Sequence, residues 1–395
     1  MLILSINSGS SSLKFKLIKF NNKIHFNLAE GYIDAINQKN CNFKFKIDNE
    51  LKQENPIKIK NYQEAITLAL KTLLKSNVIE NLDKITAVGH RVVHGGSKFQ
   101  KEIIATSKIL KELKNLNDLA PLHNPANIKG ILACQKLLKK TPQILVFDTS
   151  YYRNLEEKAY LYGLPLELYK KYQIRKYGFH GISHEYICKE TKKLLKKQNT
   201  KIISCHLGNG SSITASKNLK AVDTSMGFSP LDGIPMGTRS GSIDPSIIFY
   251  MEEKLKFSKA KIKEILLHES GLKGLSEISS DMREIYYQSL KGNKKAINTI
   301  DIYAYKIAKK ISSYIASLNG LDAITFTGGI GENAFYLREK VIKYLNFLEA
   351  YISKPENKRN AKIISMPSSK VKIYVIKTNE ELEIALKVKN LLTKI

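Results

Sequence analysis

The chain has 395 residues, 43% hydrophobic and 25% charged, which fits a globular protein with room for two or three domains. No apolar run approaches membrane-spanning length, and the four cysteines (Cys41, Cys134, Cys188, Cys205) lack CxxC spacing, so neither a membrane span, a zinc site nor a disulfide framework is indicated. A formal net charge of +28 raises nucleic acid as a partner, but lysines such as Lys192, Lys193, Lys196, Lys197, Lys291, Lys294 and Lys295 are scattered along the whole chain, and no specific nucleic-acid or membrane partner is expected.

The opening MLILSIN lacks the positive region of a signal peptide and reads as a strand, which with the spaced thiols fits a cytoplasmic protein. Apolar LILSI, the turn NSGSSS and alternating LKFKLIKF predict a hairpin. Residues 21–60 read as further strands and loops. An amphipathic helix is predicted over 62–80, then the strand ITAVGHRVV, a helix entered through the prolines of PLHNPAN, and the buried strand QILVFDTS ending in Asp148. This alternation argues for α/β architecture. The chain then begins again. Residues 3–13 (ILSINSGSSSL) and 202–213 (IISCHLGNGSSI) share a strand, a glycine- and serine-built turn and a second strand. Ser5, Gly9, Ser11 and Ser12 match Ser204, Gly208, Ser211 and Ser212 with one residue inserted, which implies two similar domains. Further on, DIYAYKIAKKISSYIASLNG predicts a helix closing on Asn319-Gly320, followed by strand DAITFT, the turn GGIGEN, helix FYLREKVIKYL, strand VKIYVIK and a last helix starting at Thr378.

Two arginines stand among small, turn-forming residues: Arg91 in HRVVHGG (residues 90–96) and Arg239 in GTRSG (237–241). A guanidinium grips carboxylate and phosphate through two parallel N–H bonds, so such arginines point to an anionic ligand. Phosphates also need close backbone N–H donors, which NSGSSSLK (with Lys14), HLGNGSS and TGGIGEN can offer. No GxxxxGK[ST] sequence occurs, so this is not a P-loop protein. Asp148 ends a strand, where α/β proteins place functional groups or caps. Thr378 and Glu381 fit an N-cap and its capping-box partner, which leaves Glu380 as the candidate to hold Mg²⁺. Asp281 and Glu284 also fit a capping box, in competition with a ligand role for Asp281-Met282-Arg283. His180 and His184 are four apart, but no third ligand is evident and a metal is discounted there. His180 reads better as a hydrogen-bond donor to a charged group, and His123 as a helix-entry residue. Together these features point to transfer of a phosphoryl group to or from an anionic acceptor.

The motifs INSGSSSLKF, GHRVVHGG, LAPLHNPAN, FDTS, AYLYGLP, RKYGFHGISH, HLGNGSS, DTSMGFSPLDG, MGTRSGSIDP, SSDMR, TGGIGEN and TNEEL resemble, in order and over nearly the whole chain, the acetate kinase family. The resemblance implies an α/β fold of two duplicated ribonuclease H-like (actin-like ATPase) domains with the active site in the cleft between them. Residues 1–149, with the C-terminal helix 381–395 packed back on them, would form the first, and 150–380 the nucleotide-binding and dimerisation domain of a homodimer. It implies reversible, Mg²⁺-dependent in-line transfer of the ATP γ-phosphoryl group to acetate, giving acetyl phosphate and ADP, with Mn²⁺ able to serve. A propionate or other short-chain fatty acid kinase of the same fold is the near alternative, a polyanion-binding protein the distant one.

Carried over by motif, Asn7 and Glu380 would hold the metal and Lys14 a phosphate. Arg91, Asp148, His180 and Arg239 would be catalytic. Arg91 with Val93, Leu122, Phe179 and Pro230 would hold acetate. His206, Leu207, Gly208, Asn209, Gly210, Asp281, Met282, Arg283, Gly329, Ile330, Gly331, Glu332 and Asn333 would contact the nucleotide. The chain departs from the family pattern at Ser242, where aspartate is usual, at Ile182 (threonine) and at Tyr152 (histidine).

Overall fold

The computed structural model describes residues 1–394 except 10, 23, 39, 48, 49 and 122. The chain divides into two compact units, Met1–Arg153 with Asn379–Ile395, and Asn154–Thr378.

In the first unit, β1 (Leu2–Ser8), β2 (Leu13–Asn21), β3 (Ile24–Asp34), β4 (Cys41–Ile47), β5 (Glu50–Ile57), β6 (Ala87–Val92), β7 (Ile103–Ile104) and β8 (Gln143–Phe147) form one sheet in the order β5-β4-β3-β2-β1-β6-β8-β7. β1 is central and buried over Ile3–Ile6, which is why LILSI is apolar on both faces. β2 has solvent on one side and alternates, with Leu13, Phe15 and Leu17 inward and Lys14 and Lys19 outward. Helix α1 (Tyr62–Lys75) is capped by Asn61, whose side chain accepts from Glu64 N, and buries Ala65, Ile66, Ala69, Leu70 and Leu73. It stops five residues short of the predicted end, because Ser76 caps it and Asn77 turns left-handed (φ 55°). Helix α2 (Asn124–Leu137) enters through Pro125 after His123. The C-terminal helix, Glu380–Leu392, buries Ile384, Ala385 and Val388. It lies so close to β6 that a Cβ on Gly89 would meet Ile384 Cγ2 and Val388 Cγ2 at 2.7 Å.

In the second unit, β9 (Lys201–Leu207), β10 (Ser211–Lys217), β11 (Lys220–Thr224), β12 (Ala323–Thr327) and β13 (Lys372–Val375) take the order β11-β10-β9-β12-β13. That order repeats β3-β2-β1-β6-β8. In each copy an antiparallel hairpin lies beside two parallel strands. The strand pairing Ser8↔Leu13 in one hairpin and Leu207↔Ser211 in the other makes the first connection one residue longer than the second. Ser211 therefore corresponds to Leu13 by register, and the expected matches of Ser11 and Ser12 with Ser211 and Ser212 are corrected. The duplication read from residues 3–13 and 202–213 is therefore real, and the topology is the expected duplicated ribonuclease H-like one. Two long helices of this unit are α3 (Gly181–Leu195) and α4 (Lys294–Leu318), and the core gathers on α4, with Tyr303, Ile307 and Ile311 in one cluster with Phe326 and Ile324. Each such fully buried side chain contributes about 1.5–3 kcal/mol. α4 ends where Asn319 takes φ 50° and Gly320 φ 114°, the predicted C-cap.

One expectation is corrected. The C-terminal helix is capped by Asn379, whose side chain accepts from Leu382 N (3.2 Å), and not by Thr378. Thr378 is engaged otherwise: its hydroxyl pairs with Ser183 Oγ (2.8 Å) and its N–H donates to Glu332 (3.1 Å). Glu381 is thus the second helical residue and no capping-box partner. All four cysteines are buried and none forms a disulfide, and burial pushes the Cys134 and Cys205 thiols up. Among the described residues no helix is long and apolar enough to cross a membrane.

Candidate active site

Parallel pairing gathers the candidate residues of the first unit. β1 and β8 flank β6, so Asn7, Arg91 and Asp148 emerge side by side at the ends of their strands. Arg91 Nε and Nη2 donate to Asp148 Oδ2 at 3.2 and 2.5 Å, and Nη1 donates to Asn7 Oδ1 at 3.2 Å. Glu380, first residue of the C-terminal helix, brings Oε2 within 3.9 Å of Arg91 Nε and accepts from Asn7 Nδ2 at 3.5 Å. Asp148 is 1% exposed, and its Oδ1 has no hydrogen-bond partner among the described residues. Burial alone would lower the Arg91 proton affinity, but the Asp148 and Glu380 carboxylates more than reverse this and hold the guanidinium charged. Burial pushes the Glu380 carboxyl up to about 7, with Arg91 only partly offsetting it while Asp148 and Glu381 add to the rise.

Lys14 pairs across the hairpin with Asn7, is exposed, and acts through its charge to lower the Glu380 value. Val93 is buried, its N–H donating to Asn127 Oδ1 (3.0 Å). Leu122 lies outside the described residues. Among the described residues no three His, Cys, Asp or Glu side chains group as a metal site. A magnesium ion needs only one or two carboxylates beside phosphate and water oxygens. Glu380, the Asn7 carbonyl and the unpartnered Asp148 Oδ1 supply hard oxygen donors, and so fit such an ion.

The second unit holds the other arginine. The turn between β9 and β10 brings Gly210 against His180 and Arg239. A Cβ there would sit 3.2 Å from His180 Cε1 and Nε2 and 3.7 Å from Arg239 Nη1. Arg239 Nη1 donates to the Pro230 carbonyl at 3.2 Å, and among the described residues no carboxylate lies within 4.0 Å of it. Burial lowers its proton affinity. The contrast with Arg91 is physical: one guanidinium is neutralised, the other is half-buried with its charge uncompensated. His180 precedes α3 in the left-handed region (φ 56°), which a non-glycine residue rarely adopts, and its ring stacks on His206 at 4.4 Å. Phe179, before it, is 2% exposed, and Pro230 is half-buried.

A cavity of about 800 Å³ opens beside these groups in the same unit, lined by Gly208, Asn209, Asp281, Met282, Arg283, Gly329, Ile330 and Asn333. Three chain segments converge on it: the hairpin turn, the start of the helix Met282–Leu290, and the turn after β12. Gly329 has nothing within 4 Å of where its Cβ would lie. His206, Leu207, Gly210, Gly331 and Glu332 do not line the cavity. Leu207 is core, Gly331 gives its carbonyl to buried Arg338 (2.8 Å), and Glu332 ties Gly328 N (3.0 Å) to Thr378 N (3.1 Å). Asp281 is the helix N-cap, accepting from Arg283 N (2.9 Å), and the Arg283 guanidinium on it holds its carboxyl below the usual value. Glu284 does not close the box, since Asp281 N donates to Ser279 Oγ instead (3.1 Å).

Sequence reasoning missed Ser280, Tyr286, Ala334, Phe335 and Tyr336 on the cavity wall. The Tyr286 and Tyr336 rings stack with centroids 3.5 Å apart, and Tyr336 Oη donates to the Met282 carbonyl (3.1 Å).

Residues 2–386 match the model of the Acetokinase family. The chain belongs to that family. The acetate kinase of Carboxydothermus hydrogenoformans is 46% identical over 393 residues, covering 98% of each chain. Among solved structures, a propionate kinase from Francisella tularensis is 41% identical with a TM-score of 0.92, covering 98% of this chain and 99% of that one. The Porphyromonas gingivalis acetate kinase is 36% identical with a TM-score of 0.91, covering 99% of both. Membership of the acetokinase family makes this protein a phosphotransferase.

Proposed function

We propose that this protein is an acetate kinase, transferring the γ-phosphoryl group of ATP to acetate and back. The observation that carries the reading is the uncompensated Arg239 guanidinium beside His180 and a glycine turn, next to a cavity of nucleotide size. A carboxylic acid with a pKa of roughly 4 is ionised at neutral pH, so the acceptor needs no base. An acetate oxygen forms a bond to the γ-phosphorus while the bond to the bridging oxygen breaks, and ADP leaves with the electron pair. The difficulty is electrostatic, because one anion approaches another and charge gathers on the equatorial oxygens. Arg239 and His180 meet that charge, and Arg91 holds the acceptor carboxylate. Asp148 orients Arg91 through two N–H donors, a role that explains its burial better than base catalysis.

Magnesium, or manganese in its place, would be held through Glu380 and Asn7, with Asp148 Oδ1 a further acceptor. Bound there, it would supply positive charge against the phosphoryl oxygens. The nucleotide is assigned to the cavity of the second unit, and the acyl group to Val93, Leu122, Phe179 and Pro230. Exposed Ile247, Phe249 and Tyr250 on the helix Ser246–Glu253 support a homodimer formed through the second unit, and four buried cysteines without a disulfide support a cytoplasmic setting.

The kinship with a propionate kinase favours one second reading, a preference for the longer acid. One methylene is worth about 1–3 kcal/mol in an apolar pocket, so some propionate turnover is expected in either case. Acyl phosphate trapped by hydroxylamine, with acetate, propionate and butyrate in parallel, separates the two. Highest kcat/KM on acetate supports the proposal; highest on propionate moves the assignment to the second reading; steeply salt-dependent polyanion binding without acyl phosphate overturns both.

A further inference from the structure

Behind His180 lies a buried row of side chains that the proposed reaction does not use. His180 Nδ1 is 2.9 Å from Ser212 Oγ, Ser212 Oγ is 2.7 Å from His184 Nε2, and His184 Nδ1 is 2.6 Å from Ser204 Oγ. Ser204, His184 and Ser212 are each 0% exposed, so water does not compete for these bonds. The spacing of four between His180 and His184 places both rings on this row.

The row has a direction. Ser204 Oγ faces the Thr214 carbonyl at 3.5 Å, which can only accept. With its proton turned there, Ser204 Oγ accepts from His184 Nδ1–H. Burial, helped by His206, holds His184 well below the ordinary histidine value, so it is neutral and its Nε2 carries a lone pair. That lone pair takes the Ser212 hydroxyl proton, and the Ser212 oxygen is left to accept from His180 Nδ1–H. The opposite edge of the His180 ring, Cε1–Nε2, faces the Gly210 position and Arg239.

We infer that His184 and Ser212 are positioning residues for His180, holding its proton on Nδ1 and aiming Nε2 at the space beside Gly210 and Arg239. A Ser212 oxygen that accepts also tolerates the imidazolium, which must donate from both nitrogens. His180 can then present Nε2–H to a phosphoryl oxygen while Ser212 supports the other side of the ring. This rests on the proposed role of His180 in the transfer.

The tautomer is read directly in the full-length protein labelled with ¹⁵N-histidine, from two-bond ¹⁵N–¹H correlations at about pH 8, with the His180 signals assigned by their loss in His180→Ala. Nδ1 should be of the protonated type and Nε2 of the lone-pair type; the reverse overturns the inference, and this measurement needs no altered fold. Ser212→Ala should lower kcat roughly tenfold to a hundredfold with both KM values little changed, and Ser212→Thr, which keeps the hydroxyl, should recover most of it. The double variant His180→Ala/Ser212→Ala should be no slower than His180→Ala alone, because Ser212 acts through His180. Multiplied losses would mean that Ser212 does something else, and would overturn the inference while leaving His180 in its role. An undiminished kcat in His180→Ala removes that role and the inference with it.

Discussion

Arg91→Ala tests whether the first unit is built around a shared cation. The guanidinium carries two bonds to Asp148, one to Asn7, and stands 3.9 Å from Glu380. Removing it leaves two carboxylates facing each other, one of them 1% exposed. Breaking a buried pair costs about 3–5 kcal/mol, and the low end applies because the Arg91 side chain keeps 18% exposure. About 3 kcal/mol corresponds to a fall in Tm of roughly 6–12 °C for a domain of this size. The loss should depend on pH. Glu380 already sits at about 7, above the ordinary 4.5, and Arg91 pulls it down, so the variant raises it further. A carboxyl whose folded value is raised contributes stability that is full below its unfolded value and lost as pH climbs through the folded one. The deficit of Arg91→Ala should therefore be larger at about pH 8.5 than at about pH 5.5, and Arg91→Ala/Glu380→Gln should regain part of it at the higher pH. Thermal unfolding followed by far-UV circular dichroism reads all of this. Equal losses at both pH values would refute the shared-cation reasoning.

Arg239→Ala should cut kcat by about 10³, the scale of arginines that stabilise a transferring phosphoryl group, and near-normal turnover would remove it from the site. Gly210→Ala places a methyl 3.2 Å from the His180 ring, so kcat should fall about tenfold or more with little loss of Tm; unchanged kcat would mean that ring and turn do not act together. Tyr286→Ala removes one of the stacked rings on the cavity wall, worth ~1 kcal/mol, and should raise KM for ATP about fivefold without moving KM for acetate. A shift in the acetate KM alone would place the nucleotide elsewhere.

Much of the fold was legible because its signals are local. The hairpin turn was written twice in glycine and serine, and Asn319-Gly320 marked a helix end that backbone geometry then took up. Arg91 and Arg239 stood out for the same reason, set among glycines that have no packing use for a cation. What separates their roles was not legible. Asp148 reaches Arg91 across 57 residues of sequence, and no spacing rule says that Arg239 has no such carboxylate partner among the described residues. Thr378 and Asn379 are both good caps, and their choice was decided by Ser183 and Glu332, far away in the chain. Tyr286 and Tyr336 line the cavity, yet an aromatic residue on a helix looks the same whether it faces core or ligand. The row from His180 to Ser204 is assembled by strand pairing, which sequence spacing does not report.

The most direct test of the central claim is to follow ADP release and hydroxylamine-trapped acyl phosphate in one sample of protein, ATP, Mg²⁺ and acetate. The account predicts one acyl phosphate for each ADP, and neither product without acetate. ADP released with no acyl phosphate would mean that the phosphoryl group goes to water, and would contradict it.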